Sequence, residues 1–300
     1  MIEGWKYYNH AAISTSLPGE PVDLSALTDG RLWSIDGKRP LLAKWETDWD
    51  CAHDTGWWWE IKESPFDWAD LNSKSRTKLR QALKKCRVER ISPLERESEL
   101  WACFQAAFAK YKMAANAKTR FQFHEECARA VDNGIDFWGG FDIETGQLIG
   151  FLTIQDHGNH VENLVAKFDP AHLKSRVSDA LYATVLDEYL NKRHKRFLSC
   201  GRRSINHVTN TQAYREEHFK FRKAYCRLHI VYAPRIRWLM RLLYPFRRLI
   251  WRLSEHDKKL HLLGAVLKMD EIARGEEIMP PSNLSNDKID DNASNRVSDV

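Results

Sequence analysis

Within eight residues, Cys200 to His207, the stretch RFLSCGRRSINHVTN gathers a thiol, two guanidinium groups, a hydroxyl and an imidazole. Cys200 with His207 would make a thiolate nucleophile and its base, but such a pair needs a third group to orient the imidazole, and none is apparent nearby. Arg202, Arg203 and Ser204 would make an anion-binding loop, since guanidinium and hydroxyl donors match the oxygens of carboxylates and phosphates. The third reading is a polar turn after a buried strand, with Cys200 acting as a small apolar residue. Elsewhere, His124 and Cys127 stand three apart on one helix face, but two ligands do not make a zinc site. The six cysteines (51, 86, 103, 127, 200 and 226) contain no Cys-x-x-Cys pair. With an N-terminus, MIEGWKYYNH, that lacks a signal-peptide pattern, they are expected to be reduced thiols of a cytoplasmic protein that holds no metal.

The elements that must position these residues follow from periodicity. The first sixty residues alternate short apolar runs with Gly, Pro, Asp and Thr and read as β-rich. TGWWWEIKES reads as a strand whose Trp57, Trp58 and Trp59 fill a core or a seam. From Asp70 the spacing predicts a basic helix with Leu71, Leu79 and Leu83 on one side, followed by a strand at RVERIS. Ser92-Pro93 is the expected start of the next helix, serine capping and proline in the first turn, with Leu100, Trp101, Phe104, Ala107 and Phe108 as its buried stripe to about Lys112. RFQFHEECARAVDN reads as another helix. IDFWGGFDI, LIGFLTIQ and HVENLVAKF read as strands, with a hairpin turn at Glu144-Thr145-Gly146. SDALYATVLDEYLNKRHK is amphipathic, with Leu181, Val185, Leu186 and Leu190 on its inner stripe. A strand at RFLSC, a helix at NTQAYREEHF and a strand at KAYCRLHIVY complete an α-α-β-β-β-α-β-α-β order over residues 92–232, which is a mixed α/β sheet.

Residues 233–275 mix bulky apolar side chains with arginines, and Pro245 divides them into two helical pieces. Two readings stay open for 233–260. The segment lies on an anionic membrane surface with Trp238, Leu239, Leu242, Phe246, Ile250 and Trp251 inserted, or it packs on the rest of the protein and turns its arginines outward. The arginines leave no apolar run long enough to cross a bilayer. Residues 276–300 are acidic and poor in bulky apolar types, the composition of a disordered tail. A net charge of +5 suits an anionic partner without naming one.

The order of elements in 92–232 resembles the GNAT (acyl-CoA N-acyltransferase) superfamily. LVAKFDPAHLKSRVSDAL resembles its fourth strand, loop and following helix, with Pro170 and then Ala180-Leu181, and NTQAYREEHFKFRKAYCRLHIVY resembles its last helix and strand through Asn210, Ala213 and Phe221. In that register Arg176 and Ser178 stand where the pyrophosphate loop has glycines, and Leu173 where it has a basic residue. LNSKSRTKLRQALKKCRVERIS is similar to a basic helix and strand of the Fem-type branch, which pairs two GNAT-like units and often lacks the glycine loop. The resemblance implies a reduced first unit over 1–91, a complete second one over 92–232, and a basic helical extension over 233–275.

It also implies roles. Glu162 would be the base that deprotonates an amine, with His160 beside it on the same face of the strand. Backbone at Val165 and Ala166 would meet the donor carbonyl. Tyr214, or failing it Tyr225, would be the acid. Lys174, Ser175, Arg176, Ser178 and Asn210 would line the cofactor, and Arg202, Arg203 and Ser204 the substrate. The implied reaction moves an acyl or aminoacyl group from a thioester or tRNA-linked donor to an amine. The donor would be acyl-CoA (acetyl-CoA or longer), an aminoacyl-tRNA or an acyl carrier protein, with no metal. The acceptor would be a small-molecule or cell-envelope amine, and the protein would sit in the cytoplasm, peripheral to the inner face of the membrane. The alternative is a non-catalytic binding protein on the same scaffold, presenting a basic surface to an anionic membrane or a nucleic acid. Nucleic acid other than a tRNA donor has little support, because the basic helix Lys74 to Lys85 lacks interleaved aromatics.

Overall fold

The computed structural model describes residues 2–109, 118–205, 211–254 and 257–275. In chain order the elements are β1 (Trp5–Tyr8), β2 (Ala11–Ser14), the short α1 (Ser25–Thr28), β3 (Leu42–Cys51), β4 (Trp58–Glu63), α2 (Ser73–Lys85), β5 (Cys86–Ile91), α3 (Glu97–Phe108) and α4 (Arg120–Asp132). They continue with β6 (Asp136–Asp142), β7 (Leu148–Asp156), β8 (Val161–Phe168), α5 (Val177–Leu186), β9 (Phe197–Arg202), α6 (Thr211–Phe219), β10 (Arg222–Tyr232), α7 (Pro234–Leu243), α8 (Arg247–Ser254) and α9 (Lys258–Ala273). The ten strands of the described residues join one mixed sheet in the order β1-β2-β3-β10-β4-β9-β8-β7-β6-β5. Among the described residues only β2–β3 and β8–β9 run parallel. The last strand therefore lies inside the sheet, antiparallel to β3 on one side and to β4 on the other.

Side-chain alternation builds a layer on each face of the sheet. Trp138 on β6, Ile149 and Leu152 on β7 and Val161 on β8 pack under α5 and α2, while Phe137, Phe141 and Phe151 pack under α3 and α4. Helix α5 is almost wholly inside. Leu181, Val185, Leu186 and, just beyond its end, Leu190 are fully buried, as their spacing predicts. It can lie this close because β6 and β7 carry glycine beneath it: a Cβ on Gly140 would stand 2.4 Å from Val177 Cγ2. Trp57 and Trp59 are buried as expected of a core or seam, in a cluster with Phe197, Ala224, Leu228 and Ile272 of α9.

Several local expectations are corrected. The helix expected at Ser92-Pro93 begins at Glu97. Ser92 instead opens a separate turn, its carbonyl accepting from Arg96 N–H, and Arg96 leaves helical angles at φ −107°, ψ 18°. Helix α2 buries Ser75, Leu79 and Ala82 rather than Leu83, which is exposed on the solvent side. In α3 the inner stripe includes Cys103, and Trp101 and Phe108 only edge the core. The continuation of that helix to Lys112 and the acidic tail 276–300 lie outside the described residues. All six cysteines are free thiols.

Candidate functional site

The fold opens where β8 leaves β9. These parallel strands pair only at Val161–Leu198 and Glu162–Ser199. Past that point β8 shifts register against β7, Thr153 opposing Val165 while Ile154 opposes Asn163, so Leu164 is the extra residue of a bulge. Asn163 holds the bulge from inside, its amide nitrogen donating to Thr153 O at 3.1 Å and Val165 O at 3.0 Å. Leu164 and Val165, the residues expected to offer backbone to a donor carbonyl, are left exposed at the parting of the strands, and Ala166 is half-buried against the core.

Beneath the bulge runs a buried polar network for which the sequence offers no local signal. Glu60 on β4 is fully buried and accepts two hydrogen bonds from the Arg215 guanidinium of α6, at 2.9 and 2.5 Å. Arg215 also donates to the Tyr182 hydroxyl of α5 at 3.1 Å, and that hydroxyl donates to Asn163 Oδ1 at 3.4 Å. The network thus links four elements and ends on the bulge. Burial pushes the Glu60 carboxyl up, and bidentate Arg215 works against it by favouring the ionised form. Cys200 lies against the same group, and burial pushes its thiol up to about 12, so it is a neutral thiol and not a nucleophile at physiological pH. Its suggested partner His207, like Asn210, lies outside the described residues.

The candidate residues fall on the two faces of the sheet at this opening. On the face away from α5, Glu162 is half-buried with its Oε2 at 3.6 Å from His157 Nε2. That nitrogen is buried with no hydrogen-bond partner among the described residues. His160 shares the face with Glu162, as alternation predicts, and stacks between His157 and Phe197 with ring centroids at 4.9 and 4.6 Å. Burial, with His157 adding to it, holds His160 down to about 4, so it is neutral. The ring contacts continue from Phe197 to Trp49 and Trp59, over which the Arg202 guanidinium sits at 4.1 Å. A cavity of about 570 Å³ opens on this face, lined by Trp49, Trp59, Glu46 and the loop from Ser14 to Val22. His157, at the tight turn before β8, was missed by sequence reasoning: a histidine in Asp-His-Gly-Asn reads only as a turn residue.

On the α5 face, the Tyr214 hydroxyl donates to the buried Asp179 carboxylate, with Ser178 Oγ at 3.2 Å. Burial and the adjacent Asp179 raise the phenol well above its ordinary range, so its proton is committed to Asp179. Arg176 approaches the same carboxylate at 3.8 Å. Lys174 is exposed, while Ser175 is half-buried, its hydroxyl 3.4 Å from Asp142 Oδ2. Arg176 holds φ +57°, ψ +38°, so the loop before α5 makes a left-handed turn of the kind glycine favours, at a position where the resembled motif has glycine. The backbone shape is kept and the bare amide surface is not. The first turn of α5 already has a carboxylate and a phenol over it, which fits poorly with a pyrophosphate lying on backbone amides.

The two arginines expected to meet substrate have protein partners. Arg202 donates to Glu46 Oε1 at 2.7 Å, and Arg203 donates to Gly56 O and lies over Trp58 at 4.6 Å. Ser204 is exposed just past β9. Tyr225, the other tyrosine considered, sits on β10 in edge contact with Trp58. Among the described residues no group of three or more His, Cys, Asp or Glu side chains is placed to hold a metal ion.

No protein-family model matches this sequence, and no curated protein is similar enough in sequence to match it. Solved structures do share its fold. FemX aligns over 80% of this chain and 85% of its own, with TM-score 0.54 and 9% identity. L-PGS from Bacillus licheniformis aligns over 80% and 83%, with TM-score 0.51 and 12% identity. A tandem GNAT protein from the clavulanic acid biosynthesis pathway aligns over 74% and 75%, with TM-score 0.45 and 11% identity. The chain shares the fold of FemX and of L-PGS from Bacillus licheniformis.

Proposed function

We propose that this protein transfers an acyl or aminoacyl group from an activated ester or thioester to an amine, at the opening between β8 and β9. The observation that carries the reading is the two-pair ladder that ends at Glu162–Ser199, where the strands part and a half-buried carboxylate stands at the junction. In this reading the opening passes through the sheet. The donor enters from the α5 face, and its carbonyl meets the edge of β8 near Val165. The amine approaches from the other face, along the aromatic floor of Trp49 and Trp59. Glu162 takes the proton as the nitrogen attacks, and His157 beside it steadies the carboxylate. The leaving oxygen or sulfur departs on the α5 face and takes a proton from water there.

The α5 loop supports a donor held by side chains over one held by backbone amides. That favours an aminoacyl-tRNA or an acyl carrier over free acyl-CoA, with Lys174 and Arg176 as the cations nearest the entrance. The cavity lined by Glu46, Trp49 and Trp59 supports an acceptor amine with an apolar or aromatic body.

The test is a turnover screen of acyl-CoAs, acyl carrier proteins and aminoacyl-tRNAs against pooled amines, read as new amide by mass spectrometry. Glu162→Gln should lower kcat by about 10²-fold or more, the scale of a lost general base, while the melting temperature stays unchanged. Transfer that survives this substitution would remove Glu162 from the chemistry. No transfer from any donor would turn the reading toward a non-catalytic binding protein on this fold.

A further inference from the structure

Helices α7 and α8, with the turn at Tyr244–Phe246 between them, have two apolar faces. The inner one is spent within the protein: Ile236, Met240, Leu243 and Ile250 pack against Leu42, Tyr232 and Leu267. The outer one is bare. Trp238 is 77% exposed, Leu242 68%, Phe246 56%, Leu249 55% and Leu253 49%, and their spacing of three and four residues draws a single stripe along both helices. A stripe of this size on a protein surface marks an interaction site.

The charge around it is of one sign. Between Pro234 and Ser254 there is no Asp or Glu, against Arg235, Arg237, Arg241, Arg247, Arg248 and Arg252. Arg235 is anchored on the carbonyls of Arg39 and Pro40, and Arg247 and Arg248 lean on Glu271. For Arg237, Arg241 and Arg252 no carboxylate of the described residues stands within ion-pair distance. They flank the stripe as exposed cations, the Arg241 guanidinium lying over the Trp238 ring at 5.7 Å. Among the described residues no helix is long and apolar enough to cross a membrane.

We propose that this face is a docking surface for an anionic lipid membrane, on which α7 and α8 lie flat. Trp238, Leu242, Phe246, Leu249 and Leu253 enter the acyl boundary, and Arg237, Arg241 and Arg252 meet lipid phosphates. Apolar side chains level with a belt of arginines suit the headgroup interface, which offers hydrocarbon and phosphate at adjacent depths. A nucleic acid would answer the arginines and leave the stripe in water. A second copy of the chain would cover the stripe and bring the like-charged belts together.

The experiment is co-sedimentation of the full chain with vesicles of phosphatidylcholine alone and of phosphatidylcholine with one third phosphatidylglycerol. Binding should be at least tenfold stronger to the anionic vesicles and should weaken as salt rises. Leu242→Gln with Leu249→Gln should lower binding to anionic vesicles at least tenfold. Arg237→Gln with Arg241→Gln and Arg252→Gln should abolish the preference for anionic lipid. All five residues are solvent-facing, so circular dichroism and the melting temperature of both variants should match the parent. The proposal is overturned by equal partition into both vesicle types, by no partition into either, or by binding that neither variant changes. It is also overturned if the apolar variant dissolves a concentration-dependent dimer while vesicle binding is absent.

Discussion

Arg215 and Glu60 are the residues on which the opening depends without touching anything that could react there. The pair is buried on both sides, and losing one partner leaves a charge with no counter-ion in a dry interior. Arg215→Leu should cost about 3–5 kcal/mol of stability, the range for a broken buried ion pair. The double variant Glu60→Leu/Arg215→Leu should recover most of it. Urea unfolding of both variants checks this, and a double variant no more stable than the single one would mean that the pair acts through more than its charge. The partners lie 155 residues apart, which is why the sequence does not announce them. Arg202 and Arg203 show the reverse. Adjacent arginines after a glycine look like ligand groups in one dimension, yet their partners Glu46 on β3 and Gly56 just before β4 lie 156 and 147 residues earlier. Glu162 with His160 was legible because alternation on one strand is a local rule. The His157 contact was not, because it depends on how a turn folds back.

Among the elements, the loop and first turn of α5 carry the side chains that would select the donor in the proposed reaction. The helix itself was readable from the 3.6-residue spacing of Leu181, Val185, Leu186 and Leu190, although burial extends over nearly all of its surface. The left-handed turn at Arg176 was not, because a non-glycine residue in that conformation is identified by its angles and not by its type. If the side chains there are what turns a pyrophosphate away, Arg176→Gly with Ser178→Gly should admit it. Coenzyme A should then bind at least tenfold tighter by calorimetry, and folding stability should move by no more than about 1 kcal/mol, since glycine is relaxed at this φ but loses more chain entropy on folding. Equal CoA affinity in the parent and the variant would show that the loop does not select the donor.

For the molecule as a whole, the order of strands matters more than their number. β10 pairs with β3 at Leu228–Glu46 and with β4 at Ala224–Trp59, so it is the one strand that joins the first three strands to the rest of the sheet. A chain ending at residue 221 should lose cooperative unfolding and aggregate, because it exposes two unpaired strand edges lined with tryptophan. Light scattering and thermal melts of that truncation against the full chain test this. Loss of only the last helices in cooperative unfolding, with the sheet intact, would contradict it. The α-α-β-β-β-α-β-α-β order was visible from the pattern of residues 92–232, but the placement of β4 between β9 and β10 was not. Neighbours in a sheet are chosen by long-range pairing, which leaves no periodic signature along the chain.

That topology also sets a clock. During synthesis β3 and β4 leave the ribosome some 170 residues before the strand that will lie between them. Their facing edges must stay unclaimed for many seconds at ordinary rates of translation, about 5–20 residues per second. Lys44 and Lys62, the aspartates of β3 and the positive-φ kinks at Asp48 and Asp50 give those waiting edges charge and irregularity. A nascent chain with this arrangement would depend on holding chaperones more than one whose sheet zips up in order of synthesis.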